Sequence, residues 1–102
     1  MDNENMSVIM ELIINAGNAK SDAMEAIQSA KCGELQTAAE KISHAEEALV
    51  KAHHAQTGLL TKEAQGDHMD ITLLAVHGQD HLMTSIAFVD LSKEIIDLYK
   101  RN

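Results

Sequence analysis

Residues 71–99, ITLLAVHGQDHLMTSIAFVDLSKEIIDLY, form an apolar run without proline. At about 100° per residue, the spacing predicts a helix with two apolar stripes rather than one. One stripe can serve the chain's own core, and the other then requires a partner chain. The first stripe comprises Ile71, Leu74, Leu82, Ile86, Val89 and Ile96, with Gly78 as its thinnest point. The second, which we call the seam stripe, comprises Leu73, Val76, Met83, Ala87, Leu91 and Leu98.

A carboxylate interrupts the seam stripe, because Asp80 lies between Val76 and Met83. Burying a carboxylate between helices is costly unless it is paired or bound to a metal. Two or three copies that meet at a symmetry axis would repel each other when ionised. A divalent cation would relieve that repulsion, and hard oxygen ligands favour magnesium.

Two histidines flank this carboxylate, and the spacing of His77 and His81 places them on one side of a helix. Three interpretations stay open from the residues alone. The pair can be structural, it can bind a transition metal with Asp80 as third ligand, or one histidine can be a nucleophile while Asp80 has a separate role.

The rest of the chain predicts two further helices. Alanine, leucine, isoleucine, methionine, glutamate and lysine dominate, which favours helix over sheet. The first helix ends at Lys31-Cys32-Gly33, with Gly33 left-handed, and the second runs from Glu34 to about Gln65. Gly66 and Asp67 then form a turn, after which Asp67 or Asp70 caps the third helix. We therefore predict an all-α fold, a single domain over residues 1–102, arranged as an antiparallel up-down-up bundle of helices of roughly 26, 31 and 31 residues.

Each of these two helices has a predicted inner face. The spacing gives Ile9, Leu12, Ile13, Ala16, Ala23, Met24 and Ile27 for the first helix, and Leu35, Ala38, Ala39, Ile42, Ala45, Leu49, Ala52, Gln56, Leu59 and Leu60 for the second. Gly17 interrupts the first helix, and it indicates either close packing of a neighbouring helix or room for a ligand or a partner's side chain.

Composition restricts the function. The net charge of −8 leaves no basic patch for phosphates, so we expect no nucleic-acid partner. The only cysteine, Cys32, fits a reducing compartment. No segment resembles a signal peptide or a membrane span, so we expect a cytoplasmic protein.

A second histidine pair, His53-His54, offers another hypothesis. Adjacent residues on a helix point about 100° apart, so both cannot face one site. The surroundings loosely resemble histidine phosphotransfer domains of two-component signalling, although the lysine that those domains place after the histidine is missing. A phosphorelay domain that uses His53 is therefore one alternative function, and a non-catalytic metal-binding helical adaptor is another.

Residues 76–83, VHGQDHLM, resemble the signature of a known family, whose pattern reads His-Ala-Gln-Asp-His-Leu-Met. The family is the enzyme IIA components of the lactose/cellobiose (N,N′-diacetylchitobiose-like) class of the bacterial phosphoenolpyruvate-dependent sugar phosphotransferase system. Residues 15–21, 52–57 and 63–64 match as well, so the resemblance covers nearly the whole chain in order. One departure is visible, since Gly78 stands where the family usually has alanine.

The resemblance implies a phosphohistidine carrier that works as a homotrimer joined through the third helices. His77 would accept a phosphoryl group from the phosphocarrier protein HPr and pass it to a cysteine of the cognate IIB component, with the membrane component IIC involved indirectly. Asp80 would meet its symmetry mates around a divalent ion, expected to be magnesium. His81, Gln79 and Gln56 are candidate supporting residues. The sugar is expected to be a disaccharide of the cellobiose/lactose class, with cellobiose preferred.

Overall fold

The structure, a computed structural model, describes residues 3–101 of the chain, and for residue 3 only the backbone. This part of the chain folds into three helices, α1 (Asn3–Lys31), α2 (Leu35–Ala64) and α3 (Leu73–Lys100), and it contains no strand. The prediction of an all-α chain with three helices is thereby confirmed. Residues 1–2 and 102 of the predicted domain lie outside the described residues.

Glycine ends the first two helices. After α1, Gly33 has a φ of +81°, and the Glu34 amide donates to the carbonyl of Ser29 at 2.9 Å. After α2, Gly66 has a φ of +91°, and the Asp67 amide donates to the carbonyl of Lys62 at 2.9 Å. Both are Schellman turns, in which a left-handed residue lets the chain satisfy the last helical carbonyls. The two predicted turns are therefore confirmed.

The start of α3 differs from the prediction, because Thr72 is its cap rather than Asp67 or Asp70. The Thr72 backbone is extended, and its hydroxyl oxygen accepts a hydrogen bond from the Ala75 amide at 3.1 Å. A capping side chain reaches only the amides two or three residues further on, so both aspartates lie too early in the chain. Ile71 also precedes α3 and is 86% exposed, so its assignment to the first stripe is wrong.

Four clusters of buried side chains fill the core, and alanine dominates them. From one cluster to the next, residue numbers rise together in α1 and α3 and fall in α2. Small side chains let helix axes approach closely, so α1 and α2 pack mainly through alanine, while larger side chains come mainly from the N-terminal part of α1 and from α3. The clusters are Ile9, Leu59 and Ala75; Leu12, Ala16, Ala52 and Leu82; Ala19, Ala23, Ala45 and Val89; and Ala26, Ala30, Ala38 and Ile96.

Three residues assigned to inner faces are exposed instead, namely Met24, Ala39 and Leu60. Each lies at the edge of its apolar stripe. With only two neighbouring helices, the centre of a stripe is covered and its margins remain in solvent. The rest of both predicted inner faces is buried or half-buried.

Three ion pairs link the helices at the surface of the described chain, and the longest of them joins Lys62 of α2 to Glu4 of α1 at 3.5 Å. Lys41 donates to Glu25 at 2.8 Å, joining α2 to α1, and Lys93 donates to Glu46 at 3.0 Å, joining α3 to α2. The hydrogen bond to the carboxylate and then its negative charge raise the pKa of Lys41 and of Lys93. Solvent-exposed pairs of this kind add little stability, so the alanine-rich core holds the helices together.

Candidate functional site

The site predicted from residues 76–83 lies in the first three turns of α3, directly after the Thr72 cap. Within it, Gly78 is buried against α1, and a Cβ built on Gly78 would lie 3.3 Å from Cγ2 of Ile9. This close approach fixes which way the surrounding turns face. His77 and Asp80 are exposed, and Gln79 and His81 are half-buried.

The His77 and His81 rings stack. Their centroids are 5.7 Å apart and their planes differ by 6°. The predicted i,i+4 relation is therefore a parallel contact between two imidazoles. The outer ring, His77, also borders a shallow cleft formed with Leu73 and Leu74. A large reactant can reach the His77 ring from solvent without any rearrangement of the fold.

The inner ring, His81, packs on α1 at a residue that has no side chain. A Cβ built on Gly17 would lie 3.4 Å from Nε2 of His81. The structure thus favours close packing of a neighbouring helix as the explanation of Gly17. The reasoning from sequence did not connect Gly17 with His81, because the register between α1 and α3 is not visible in the spacing along either helix.

The two glutamines link α2 to α3. Gln56 is buried, its Nε2 donates to Oε1 of Gln79, and the same nitrogen lies 3.7 Å from the sulfur of Met83. Because Gln79 accepts in this bond, its own amide N–H groups remain donors for a ligand. Gln79 therefore offers neutral hydrogen-bond donors two residues from His77, and Gln56 orients the Gln79 side chain.

Asp80 lies on the seam stripe as predicted. It lines a groove of about 440 Å³ together with Val76, Gln79 and Met83 of α3 and Leu59 of α2. Among residues 3–101, no three His, Cys, Asp or Glu side chains come together as a metal site. A metal bound within one chain by His77, His81 and Asp80 is therefore not supported, and a single chain contributes one carboxylate.

The remaining candidates are separate from this site. His53 and His54 are both exposed and both line one shallow cleft with Leu49 and Val50 of α2 and Ile86 of α3, so the expectation that they cannot face one site is wrong. The groove beside Asp80 has neither of them in its lining. Cys32 is exposed at the end of α1. In the described part of the chain, no helix contains a stretch long and apolar enough to cross a membrane.

Comparison with known proteins decides the family. Residues 7–100 match the family described as "PTS system, Lactose/Cellobiose specific IIA subunit". The chain belongs to this family. IIA components of this class transfer phosphoryl groups, so the protein is a phosphotransferase component.

Individual relatives agree in sequence and in structure. The chain is 46% identical over 101 residues to the lichenan-specific phosphotransferase enzyme IIA component of Bacillus subtilis, covering 99% of this chain and 92% of the relative. The crystal structure of the cellobiose-specific enzyme IIA from Bacillus anthracis superposes with a TM-score of 0.95 at 46% identity, covering 99% of this chain and 93% of that one. The IIA(Chitobiose) of Escherichia coli, solved in complex with HPr, gives a TM-score of 0.84 at 38% identity and covers 98% and 97% of the two chains.

Proposed function

We propose that this IIA component carries the phosphoryl group on His77, taking it from HPr and passing it to a cysteine of the cognate IIB component. The observation that carries the proposal is the exposed His77 ring, which is accessible to a protein donor and supported from behind by His81. The complex of the Escherichia coli relative with HPr supports HPr as the donor.

Both transfers are in-line displacements at phosphorus. In the first, a lone pair of the neutral His77 imidazole forms an N–P bond while the bond to the donor breaks and the donor keeps its electron pair. In the second, a cysteine thiolate attacks phosphorus, the N–P bond breaks and the electron pair returns to the imidazole. Apart from the nucleophile itself, the protein contributes position and charge stabilisation. The amide donors of Gln79 are suited to the phosphoryl oxygens, and Gln56 holds that side chain in place.

The active assembly in this proposal is a homotrimer of up-down-up bundles that meet along α3. The long side chains of the seam stripe support it, because Leu73 is 86% exposed and Leu91 63% exposed although both belong to one apolar face. An apolar face of this length on a three-helix chain indicates an interaction surface. The opposite directions of residue numbers in α1 and α2 along the core clusters support the up-down-up order.

A metal ion, which we propose to be magnesium, would lie where three copies of Asp80 converge. The donor set fits, since a carboxylate between the apolar Val76 and Met83 offers hard oxygens. When bound, the divalent ion would offset two of the three negative charges and stabilise the trimer. Phosphoryl transfer at His77 does not pass through it.

The biological setting follows from the family. We propose a cytoplasmic protein that acts with HPr and IIB, meets the membrane component IIC only indirectly and binds no nucleic acid. The imported sugar would be a disaccharide of the cellobiose/lactose class, with cellobiose preferred.

One labelling experiment tests the function. The protein is incubated with phosphoenolpyruvate, enzyme I and HPr, and the modified peptide is identified by mass spectrometry. We expect the phosphoryl group on the peptide that contains His77, and its loss in His77→Ala, which should keep the helical content of the wild type because the ring is exposed. Labelling retained in His77→Ala would overturn the assignment, and loss only in His53→Ala would favour a phosphorelay domain.

A further inference from the structure

The contact between α1 and the site suggests a role for a residue that has no side chain. We propose that Gly17 is a positioning residue for phosphoryl transfer, because it sets the place of His81 and His81 sets the ring of His77. This inference rests on the proposed function of His77. It adds a residue of α1 to a site that is otherwise built from α2 and α3.

The first link is the contact between Gly17 and His81. Nε2 of His81 would lie 3.4 Å from a Cβ at position 17, which is the near limit of ordinary van der Waals contact. Gly17 is itself half-buried within α1. The imidazole therefore occupies the space that a side chain longer than alanine would fill at this position.

The second link is the stack between the two imidazoles. His77 is exposed, so the core does not fix the orientation of its ring. The parallel contact with His81, with centroids 5.7 Å apart, is the ring contact that constrains it. Turning or lifting the His81 ring removes this support and leaves His77 free to sample other rotamers. A displacement of about 1 Å at a reacting group can lower a rate as much as 100-fold.

The size of the side chain at position 17 should therefore control the rate of phosphoryl transfer, with a larger side chain giving a slower rate. An alanine Cβ fits at 3.4 Å. We therefore expect the kcat for phosphoryl transfer from HPr to Gly17→Ala to lie within about threefold of the wild-type value. The δ-carbons of leucine would overlap the His81 ring, so we expect the kcat of Gly17→Leu to fall about 10- to 100-fold. Both residues favour helix over glycine. A fall in rate together with an unchanged or higher melting temperature would therefore separate positioning from loss of fold.

Gly58 supplies the matched control. It lies within α2, it is exposed, and a Cβ built on it meets no atom within 4 Å. Gly58→Ala and Gly58→Leu make the same chemical changes in a helix without touching His81. We expect both to accept phosphate at the rate of the wild type.

A double-mutant cycle tests the route through His81. If Gly17 acts through His81, then adding Gly17→Leu to the His81→Ala variant should lower the kcat for phosphoryl transfer no further. A full 10- to 100-fold additional loss in that background would overturn the proposal. A rise in the KM for phosphorylated HPr with unchanged kcat would also overturn it, since that result would place Gly17 on the donor's docking face.

The NMR signals of the His77 ring give a readout that does not depend on activity. At one fixed pH, we expect these signals to shift in Gly17→Leu and to stay in place in Gly58→Leu. If the wild-type protein is not labelled on His77, the proposed function fails, and the ring signals still test the positioning. If the wild type is labelled while Gly17→Leu matches Gly58→Leu in rate and ring signals, the positioning role alone is wrong.

Discussion

Adding one methyl group at Gly78 measures how closely α1 and α3 pack beside the site. Gly78 is buried, and a Cβ there would meet Cγ2 of Ile9 at 3.3 Å, Cγ1 of Ile13 at 3.5 Å and Cδ2 of Leu12 at 3.7 Å. The last two distances are ordinary contacts. The first requires Ile9 to move by a few tenths of an ångström. Gly78→Ala thus tests whether Ile9 can move.

The free energies favour the alanine variant. Replacing a glycine inside a helix by alanine raises the free energy of unfolding by about 1 kcal/mol. Burying one methyl group raises it by about 0.8 kcal/mol. An overpacked core costs about 1–3 kcal/mol when neighbours cannot adjust. Ile9 is fully buried but borders the groove beside Ala75, so a shift of a few tenths of an ångström toward the groove is open to it. We therefore expect Gly78→Ala to raise the free energy of unfolding by about 1–2 kcal/mol, with transfer through His77 unchanged.

Urea and thermal unfolding at one fixed protein concentration measure this effect, since association changes apparent stability. For a chain of this size, about 1 kcal/mol corresponds to roughly 4–8 °C in melting temperature. Gly58→Ala, in open space on α2, reports helix propensity alone. Gly78→Ala should be at least as stable as Gly58→Ala. A variant less stable than the wild type would refute the reasoning and mean that Ile9 cannot give way.

Four further predictions concern the assembly and the glutamine pair. Analytical ultracentrifugation should show a trimer at micromolar concentration, and a monomer would reject the interpretation of the seam stripe. Asp80→Leu should keep the trimer, lose its metal dependence and change stability by about 0 to +4 kcal/mol, because packed apolar groups often replace buried charges without loss. Asp80→Asn should melt below Asp80→Leu, since its amide stays polar without a metal. Melts with and without chelator check both variants, and dissociation of the leucine variant into monomers would place Asp80 away from the axis. Gln56→Leu should lower the free energy of unfolding by at most about 1.5 kcal/mol, because Gln79 is half-buried and can bond to water. The kcat for phosphoryl transfer to His77 should fall, because Gln79 loses the partner that orients it. An unchanged kcat would show that the orientation of Gln79 is immaterial.

The helices could be predicted from sequence because their signals are local. The glycines after α1 and α2 act within one turn, and the structure confirms them. The two stripes of residues 71–99 are confirmed as a buried and an exposed face of α3, except for Ile71, which precedes the helix. The cap of α3 was mispredicted because aspartate and threonine both cap helices, and only the backbone decides which of them lies next to the first turn.

The contacts within the site depend on how one helix is placed against another. Spacing on α3 predicts that His77 and His81 are neighbours, and the stacked rings agree. The position of Gly17 under His81 depends on the axial register between two helices, which is fixed by packing of the whole core. The same holds for the bond between Gln56 and Gln79, which joins residues from different helices. Sequence alone named both glutamines without linking them.

The alanine-rich contact between α1 and α2 restricts how this chain can vary over evolution. At Ala16, Ala23, Ala45 or Ala52, a glycine costs about 1–2 kcal/mol in helix propensity and buried area, while a larger residue forces the two backbones apart. The positions in this contact should therefore accept only small residues, namely glycine, alanine and serine. Tolerance for change should be concentrated on the outer faces of the helices, so surfaces that recognise partners can diverge between transport systems while the interior stays nearly constant.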